Sequence, residues 1–272
     1  MRISISTLSK SFNLSDEALR YYERRNLLQP ERLNDSRYRV FNRVDIQRVG
    51  NIKRLQNQGF QLDEIREIYD GISQDDMLDL MDEKRREMDW DIRYKLLICE
   101  RMSESVASVR RFIRFGDAPE TVREKPFYLR IYPSIEELWN HVSDDEDLTR
   151  MFCNLPLSSF TTIFPYSALL DPANMQSPQK GVLIGAEAAE LLGIDIMRDF
   201  RRIDATRAVS CVLQLENGQF ELDGVAVKIL NFLEEHDLSP ADDLFTHQIM
   251  NFRDSDGIHR HYTQLILPVN PN

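Results

Sequence analysis

The sequence predicts an α+β chain with three parts: a small helical module bearing a strand-based wing, one long helix, and a domain built on an antiparallel sheet. Three observations support this prediction. Short amphipathic segments fill the first 71 residues, residues 75–115 contain neither Gly nor Pro, and the order strand-helix-strand-strand occurs twice after residue 125. We expect domains at 1–74, 75–116 and 126–272, with a linker at 117–125.

Composition and cysteine usage indicate a soluble protein of the reducing cytoplasm. The 272 residues are 42% hydrophobic and 29% charged, and they contain no apolar run of about 18 residues that could span a membrane. Residues 1–6 lack the apolar core of a secretion signal. Cys99, Cys153 and Cys211 are isolated, which argues against a disulfide scaffold and a thiolate metal site. We therefore expect no membrane partner, no cofactor and no metal.

Positive charge is concentrated at the amino end, although the whole chain is acidic with a net charge of -11. Residues 1–60 hold ten Arg and two Lys against six Asp and Glu, a net charge of +6, and the remainder carries -17. A basic segment on an acidic body is typical of a module that meets phosphate groups. Because a charged helix face is more often simply solvated, charge alone leaves nucleic-acid binding undecided.

The first elements are two short helices joined by a tight turn. Ile5, Leu8 and Phe12 recur at helical spacing. Ser15 is a good N-cap for a second helix over residues 16–26, whose first-turn acids suit the helix dipole. This pair of helices predicts a helix-turn-helix, a motif that places its second helix in the major groove of DNA.

A wing and two more helices are expected next. Pro30 stops the preceding segment, and the alternation over residues 37–41 predicts a short strand in a β-wing. Asn42 and Asp45 have the spacing to cap a third helix, which Gly59 ends. A fourth, shorter helix follows it. These elements complete the predicted winged helix-turn-helix.

Residues 75–115 predict one long helix with an apolar seam. Seven of the ten positions in a 4-3 series are Met, Ile or Val: Met81, Arg85, Met88, Ile92, Lys95, Cys99, Met102, Val106, Val109 and Ile113. Such a seam is typical of a coiled coil, so we expect a homodimer. The alternative is a single amphipathic helix lying on its own domain. It is less favoured because a small winged module cannot cover so long a stripe.

The remaining residues alternate between strands and helices. Strands are expected at 127–133, 161–164, 181–184, 207–215, 244–252 and 261–269, with helices opening at 135 and 224. The repeated strand-helix-strand-strand order predicts a duplicated α+β domain. Its antiparallel sheet is expected to carry its helices on one face.

The amino-terminal motifs resemble those of the MerR family of transcription regulators. Arg20-Tyr21-Tyr22-Glu23 followed by Leu27-Leu28-Gln29-Pro30 is similar to the recognition helix and turn, and Arg37-Tyr38-Arg39 is similar to the wing. The resemblance covers roughly residues 2–70, with Ala18 in place of the usual Thr and Arg37 in place of the usual Gly. It implies a dimer on double-stranded promoter DNA, which activates RNA polymerase at the promoter by distorting that DNA.

Seven residues are expected to contact DNA: Arg20, Tyr21, Arg37, Tyr38, Arg39, Arg43 and Lys53. Arg20 can reach base edges or phosphates with its guanidinium fork. The wing arginines flank Tyr38 and suit phosphates or a narrowed minor groove. Tyr22 points about 100° around the helix from Tyr21, so it is expected to pack inside.

Residues 125–272 are similar to the GyrI-like effector-binding module through the repeated motif, Leu129–Pro133 and Thr263–Val269. That family often uses a buried acid to recognise lipophilic cations, but here Gln248 stands at the place of the acid. A neutral amide cannot offset the cost of burying a cation. We expect a small lipophilic or aromatic effector, its charge left open, in a pocket of Tyr128, Tyr132, Trp139, Phe164, Tyr166 and Gln248.

Other interpretations of the second domain are less favoured. Some GyrI-like proteins resemble hydrolases, which need an acid and a tyrosine that converge in the pocket, and Gln248 argues against such a site here. The domain could instead bind a protein partner. His259 and His261 could ligate a metal, but two histidines without a nearby thiolate are more often a surface loop.

Overall fold

The structure, a computed structural model, describes residues 2–32, 39–171, 178–204, 206–215 and 223–271. The chain divides into two compact units, Met1–Ile92 and Arg93–Asn272, and this division falls inside a 42-residue helix. No helix among the described residues combines the length and the apolarity needed to cross a lipid bilayer.

The first unit contains the predicted helices and a small sheet. Its elements are β1 (Ile3–Ser4), α1 (Ile5–Ser11), α2 (Asp16–Arg24), β2 (Glu31–Arg32), β3 (Arg39–Phe41), α3 (Arg43–Asn57) and α4 (Leu62–Asp70). The strands pair antiparallel in the order β1-β3-β2. The predicted helix-turn-helix is confirmed. Strand β1 was not predicted, because two residues are too few to show an alternation.

Local capping explains where these helices begin and end. The Ser15 hydroxyl accepts a hydrogen bond from the Ala18 N–H at 3.0 Å, and Asn42 and Asp45 form a capping box at the start of α3. Helix α2 ends at Arg24, earlier than expected, because Asn26 adopts a left-handed φ of 59°. The caps fix the angle at which α2 leaves the turn.

Apolar side chains from all four helices and from β3 form the core of the first unit. Its fully buried members include Leu8, Leu19, Phe41, Ile52 and Ile65. Tyr22 is 3% exposed, and its hydroxyl donates to the Gln56 side-chain oxygen at 3.1 Å. The expected inward orientation of Tyr22 is therefore confirmed. Because Leu19 and Tyr22 anchor one face of α2, the opposite face is left for solvent.

The second unit contains the large antiparallel sheet and the remaining helices. Its helices are the carboxyl half of α5 (Gln74–Phe115), α6 (Ile135–Val142), α7 (Glu146–Cys153), α8 (Ser167–Leu170), α9 (Ala186–Leu192) and α10 (Asp223–Glu235). Its strands are β4 (Glu120–Glu124), β5 (Phe127–Tyr132), β6 (Ser158–Phe164), β7 (Gln179–Gly185), β8 (Arg201–Ile203), β9 (Thr206–Leu215), β10 (Leu238–Pro240), β11 (Leu244–Arg253) and β12 (His259–Pro271).

The strand order shows the predicted duplication. The order is β4-β9-β12-β11-β6-β7-β5-β8, and neighbouring strands in this order pair antiparallel. The first repeat contributes β5, β6 and β7, and the second contributes β9, β11 and β12 in the mirrored order. Strands β6 and β11 therefore meet at the centre of the sheet, where the two repeats join.

The expected linker at residues 117–125 is wrong for most of its length. Residues 120–124 form β4, which pairs with β9 along the edge of the sheet. Strand β4 carries the charged residues Glu120, Arg123 and Glu124. An edge strand tolerates such side chains because part of it faces water.

The helices of the two repeats cover one face of the sheet, as expected. Leu138 of α6 and Met151 of α7 pack on even-numbered residues of β5 and β7, and Ile229 of α10 packs on β9 and β12. The strand register places these residues on the same side. The other face has its own apolar cluster, which includes Phe127 and Phe245. The carboxyl half of α5 reaches that face, where Phe112 packs edge-on against Tyr262.

Candidate functional site

Helix α2 presents an exposed arginine on the face turned away from the core. The Arg20 side chain is 47% exposed, and its guanidinium lies 3.7 Å from the Glu17 carboxylate. Glu17 also forms a closer ion pair, at 2.7 Å, with Arg24. Because an exposed ion pair contributes little stability, Arg20 can exchange this partner for another anion at small cost.

Tyr21 is half-buried and held in place by its neighbours on α2. Its hydroxyl accepts a hydrogen bond from Arg25 Nε at 2.9 Å, and the Arg25 guanidinium lies 5.4 Å from the centre of the ring. Arg25 in turn pairs with Asp63 of α4 at 3.1 Å. These contacts orient the Tyr21 ring beside two cationic groups, Arg24 and Arg25.

An ion pair ties the wing strand to α2. Arg39 Nε on β3 donates to the Glu23 carboxylate at 2.6 Å, and both side chains are partly buried. Arg39 was expected to contact phosphates, whereas in the structure its guanidinium is engaged by Glu23. Sequence reasoning missed the role of Glu23, because the two residues are 16 positions apart and belong to different elements.

The other expected DNA-contacting residues fall into two groups. Arg43 is exposed at the start of α3, and Lys53 is half-buried on the same helix. Arg37 and Tyr38 lie outside the described residues. The structure thus gathers Arg20, Tyr21 and Arg39 around α2, with Arg43 and Lys53 along α3.

The second unit contains a cavity of about 530 Å³ over the centre of the sheet. It lies on the face that carries the helices, where β6 and β11 meet. The lining residues are Ile135, Leu138, Phe160, Thr161, Thr162, Phe164, Pro178, Lys180, Gly181, Leu215, Thr246, Gln248, His261 and Thr263. Its volume suits a small organic molecule, since ligand cavities commonly measure about 300–1,000 Å³.

Polar groups of the cavity are linked across neighbouring strands. Lys180 Nζ donates to the Thr162 hydroxyl at 3.1 Å, and the Thr162 N–H donates to the Thr246 hydroxyl at 2.9 Å. The Thr263 hydroxyl donates to the His247 carbonyl at 3.0 Å. Burial lowers the pKa of His261 below its ordinary value, which favours the neutral imidazole. The described lining combines hydroxyl, amide and ammonium groups with aromatic rings.

Two of the six expected effector-binding residues, Phe164 and Gln248, line this cavity. Tyr128 and Tyr132 instead lie in the core beneath α6 and α7. The Tyr132 hydroxyl is buried there without a hydrogen-bond partner among the described residues. Trp139 lies beside the cavity, with its ring 6.0 Å from that of Phe160.

Tyr166 packs beside the core cluster that contains α8 and α10. Tyr128 and Tyr132 were predicted to line a pocket because they share a strand face, but both the core and the cavity lie on that face. Which of the two a residue meets depends on where the helices sit above the sheet. The lysine and threonines of the cavity were missed because such residues are common on exposed strands.

Among the described residues, no cluster of three or more His, Cys, Asp or Glu side chains has a geometry that could hold a metal ion. His259 and His261 both lie on β12, where alternate residues share a face.

The first unit is similar in sequence to known regulatory proteins. A sequence model described as "MerR HTH family regulatory protein" matches residues 3–72. The HTH-type transcriptional activator mta of Bacillus subtilis is 25% identical over 150 residues, which cover 55% of this chain and 54% of that protein. The mercuric resistance operon regulatory protein of Bacillus cereus is 34% identical over 77 residues, which cover 28% of this chain and 58% of that protein.

A crystal structure of a MerR-family transcriptional regulator from Bacillus cereus has a TM-score of 0.37 and 23% identity, and the match covers 42% of this chain and 85% of that one. The chain spans about half the length of the curated relatives it matches. Of these relatives, the Bacillus subtilis protein is named as a transcriptional activator and the Bacillus cereus protein as an operon regulatory protein. Residues 3–72 of this chain therefore resemble the helix-turn-helix domain of the MerR family of regulatory proteins.

Proposed function

We propose that the protein is a dimeric, ligand-responsive transcription regulator that binds double-stranded promoter DNA in the cytoplasm. The observation that carries this proposal is the exposed face of α2, on which Arg20 and Tyr21 stand within the matched residues 3–72. A rigid helix with an exposed guanidinium on its outer face suits the major groove. Arg43 and Lys53 supply further positive charge on α3 for phosphate contacts.

The proposed dimer is supported by the contrast between two faces of α5, one packed against its own unit and one exposed but apolar. In the second unit, Tyr94, Leu97 and Ile98 of α5 pack against the core cluster beneath α9. Ile92, Met102 and Ile113 of the 4-3 series are 57%, 60% and 74% exposed. A row of apolar side chains on the open side of a long helix is stabilised when a second copy covers it.

The second unit is proposed to be the sensor. Its cavity is lined by Phe160 and Phe164 on one side and by polar groups of β11 and β12 on the other. Such a combination suits a lipophilic or aromatic molecule with one polar end. We propose a GyrI-like role for residues 126–272, in which an occupied cavity biases the dimer toward the conformation that activates RNA polymerase at the promoter.

One experiment tests the DNA-binding part. The full chain is titrated by fluorescence anisotropy onto its own upstream region and onto a shuffled fragment, at several salt concentrations. We expect tighter binding to the upstream region, with affinity that falls steeply as salt rises because phosphate contacts release counterions. Equal affinity for both fragments at every salt concentration would contradict the proposal.

The sensing part is tested separately, with a thermal-shift panel of lipophilic and aromatic compounds. A compound that binds the folded chain raises its melting temperature. Turnover of the hit, followed by mass spectrometry, would instead support the alternative of an enzyme. No stabilisation by any compound would favour the alternative in which the second unit binds a protein partner.

A further inference from the structure

We infer that the effector is an anion with a large apolar part, and not a cation. An aromatic carboxylate matches this description best. The inference rests on the proposed sensing role of the cavity. It begins with charge: Lys180 is the lining residue that carries a full charge, and no Asp or Glu occurs among the described lining residues. An anion buried beside an ammonium group is compensated, whereas a cation there would meet a like charge.

Lys180 is positioned to receive an anionic group. Its ammonium donates one hydrogen bond, to the Thr162 hydroxyl at 3.1 Å, and an ammonium has three N–H bonds. Within the described part of the chain, no carboxylate forms an ion pair with Lys180. The bond to Thr162 holds the ammonium against β6, and its other two N–H bonds can point to a ligand oxygen.

Two hydroxyl groups extend this row of donors across the sheet. Thr162 is the register partner of Lys180 between β6 and β7, and its hydroxyl oxygen accepts from the ammonium. The Thr246 hydroxyl on β11 accepts from the Thr162 N–H. Since both oxygens act as acceptors in these bonds, the O–H protons are available to donate. Lys180, Thr162 and Thr246 therefore offer donors from three neighbouring strands.

His261 adds a hydrogen-bonding group without adding charge. Its pKa is lowered by burial, so the neutral imidazole predominates near pH 7. Gln248 contributes a neutral amide at the exposed margin of the cavity. Within the described lining, Lys180 thus supplies one full positive charge. This charge matches a ligand with a single negative charge.

The apolar part of the cavity suits a ring system. Phe160, Phe164, Ile135, Leu138 and Leu215 line it. Phe160 belongs to an aromatic group, with its ring 4.9 Å from that of Phe152. Aromatic side chains favour aromatic ligands in offset or edge-on packing. A volume of about 530 Å³ accommodates one or two fused rings with a carboxylate.

The test compares three probes of one shape and different charge: 2-naphthoate, 2-naphthamide and protonated 2-naphthylmethylamine. Each is titrated into the full chain by calorimetry at pH 7.5. We expect 2-naphthoate to bind at least about tenfold more tightly than the amide, with the amine weakest, because a charge-assisted hydrogen bond is stronger than a neutral one.

Substitutions at Lys180 test whether its ammonium group causes the preference for the carboxylate probe. Lys180→Met should remove most of the advantage of the carboxylate over the amide, and Lys180→Glu should make the amine the tightest probe. Lys180→Gln serves as a second neutral variant, and circular dichroism checks that each variant is folded. The matched control is Lys228→Met, which removes an exposed lysine of α10 that pairs with Asp117.

The possible failures can be told apart. A ranking in which the amide or the amine binds tightest to the unaltered chain overturns the inference, and so does a folded Lys180→Met that keeps the full preference. Binding of none of the three probes overturns it as well. The sensing role survives any of these results if the separate lipophilic panel yields a stabilising compound whose effect is lost in Phe164→Ala.

Discussion

Arg101 of α5 contacts the imidazole of His247 on β11, and the next residue along that strand, Gln248, lines the cavity. Because side chains alternate along a strand, His247 and Gln248 point to opposite faces of the sheet. The Thr263 hydroxyl of the cavity also donates to the His247 carbonyl. One strand thus joins the cavity to the helix that bears the proposed dimer seam.

Burial and the nearby Arg101 guanidinium lower the pKa of His247 from 6.5 to about 3. The other charged groups near Arg101 are Glu104 on α5 and Glu124 on β4, and burial raises the pKa of Glu124. Since the folded-state pKa of His247 lies below its unfolded value, the unfolded chain binds more protons between about pH 6.5 and 3. Stability should therefore fall as the pH drops through this window.

The first prediction concerns this pH dependence. Between pH 7.5 and 5, the native chain should lose up to about 2 kcal/mol more unfolding free energy than His247→Gln, which has no imidazole to protonate. Urea denaturation of the full chain, followed by circular dichroism at both pH values, measures the difference. His236→Gln removes an exposed histidine of the same unit and should behave like the native chain. Equal losses in the native chain and His247→Gln would contradict the prediction.

The second prediction concerns Arg20. Arg20→Ala should weaken binding to the upstream DNA by about tenfold or more, since one guanidinium contact contributes about 1–3 kcal/mol. Fluorescence anisotropy at fixed salt measures this loss. Arg85→Ala removes an exposed arginine of α5 that pairs with Asp82 and Asp89, and it should bind like the native chain. A similar loss in both variants would show that only net charge matters.

The third prediction concerns Glu23. Glu23→Gln should strengthen DNA binding by about two- to fivefold, because it frees Arg39 for a phosphate and removes one negative charge. Arg39→Gln should weaken binding. Glu31→Gln, which removes an exposed acid paired with Arg2, is the matched control for charge alone. If Glu23→Gln gains no more affinity than Glu31→Gln, Arg39 has no part in DNA contact.

The fourth prediction concerns the seam of α5. Met102→Glu should shift the chain toward the monomer, because a buried carboxylate without a partner is costly at an apolar interface. Sedimentation equilibrium measures the monomer fraction. Arg86→Glu introduces the same side chain at an exposed position of α5 outside the 4-3 series and should leave the dimer intact. A dimer that tolerates Met102→Glu would place the contact elsewhere.

Much of the fold could be predicted because its signals are local. The Ser15 cap, the capping box of Asn42 and Asp45, and the uninterrupted helix after Gln74 each depend on residues within a few positions of one another. The repeat of strand-helix-strand-strand was visible for the same reason. Segment β4 was missed because edge pairing with β9 joins residues more than 80 positions apart.

The candidate site was less predictable because its residues meet only after folding. Tyr128 and Tyr132 share a face with the cavity residues, yet α6 and α7 cover them. Lys180 and Thr246 come from different repeats, and neither stands out in the sequence. The ion pair of Glu23 with Arg39 likewise depends on how the wing returns to α2. Patterns within a segment cannot reveal such long-range encounters.

The meeting of β6 and β11 at the centre of the sheet puts both repeats into the wall of one cavity. The first repeat contributes the Lys180 ammonium, the Thr161 and Thr162 hydroxyls and the phenyl rings, and the second contributes the amide, the imidazole and two hydroxyls. The group proposed to compensate an anion and the rings proposed to pack on its aromatic part therefore belong to the same repeat. Substitutions in the second repeat could alter the neutral hydrogen bonds to a ligand while its preferred charge and ring system stayed the same.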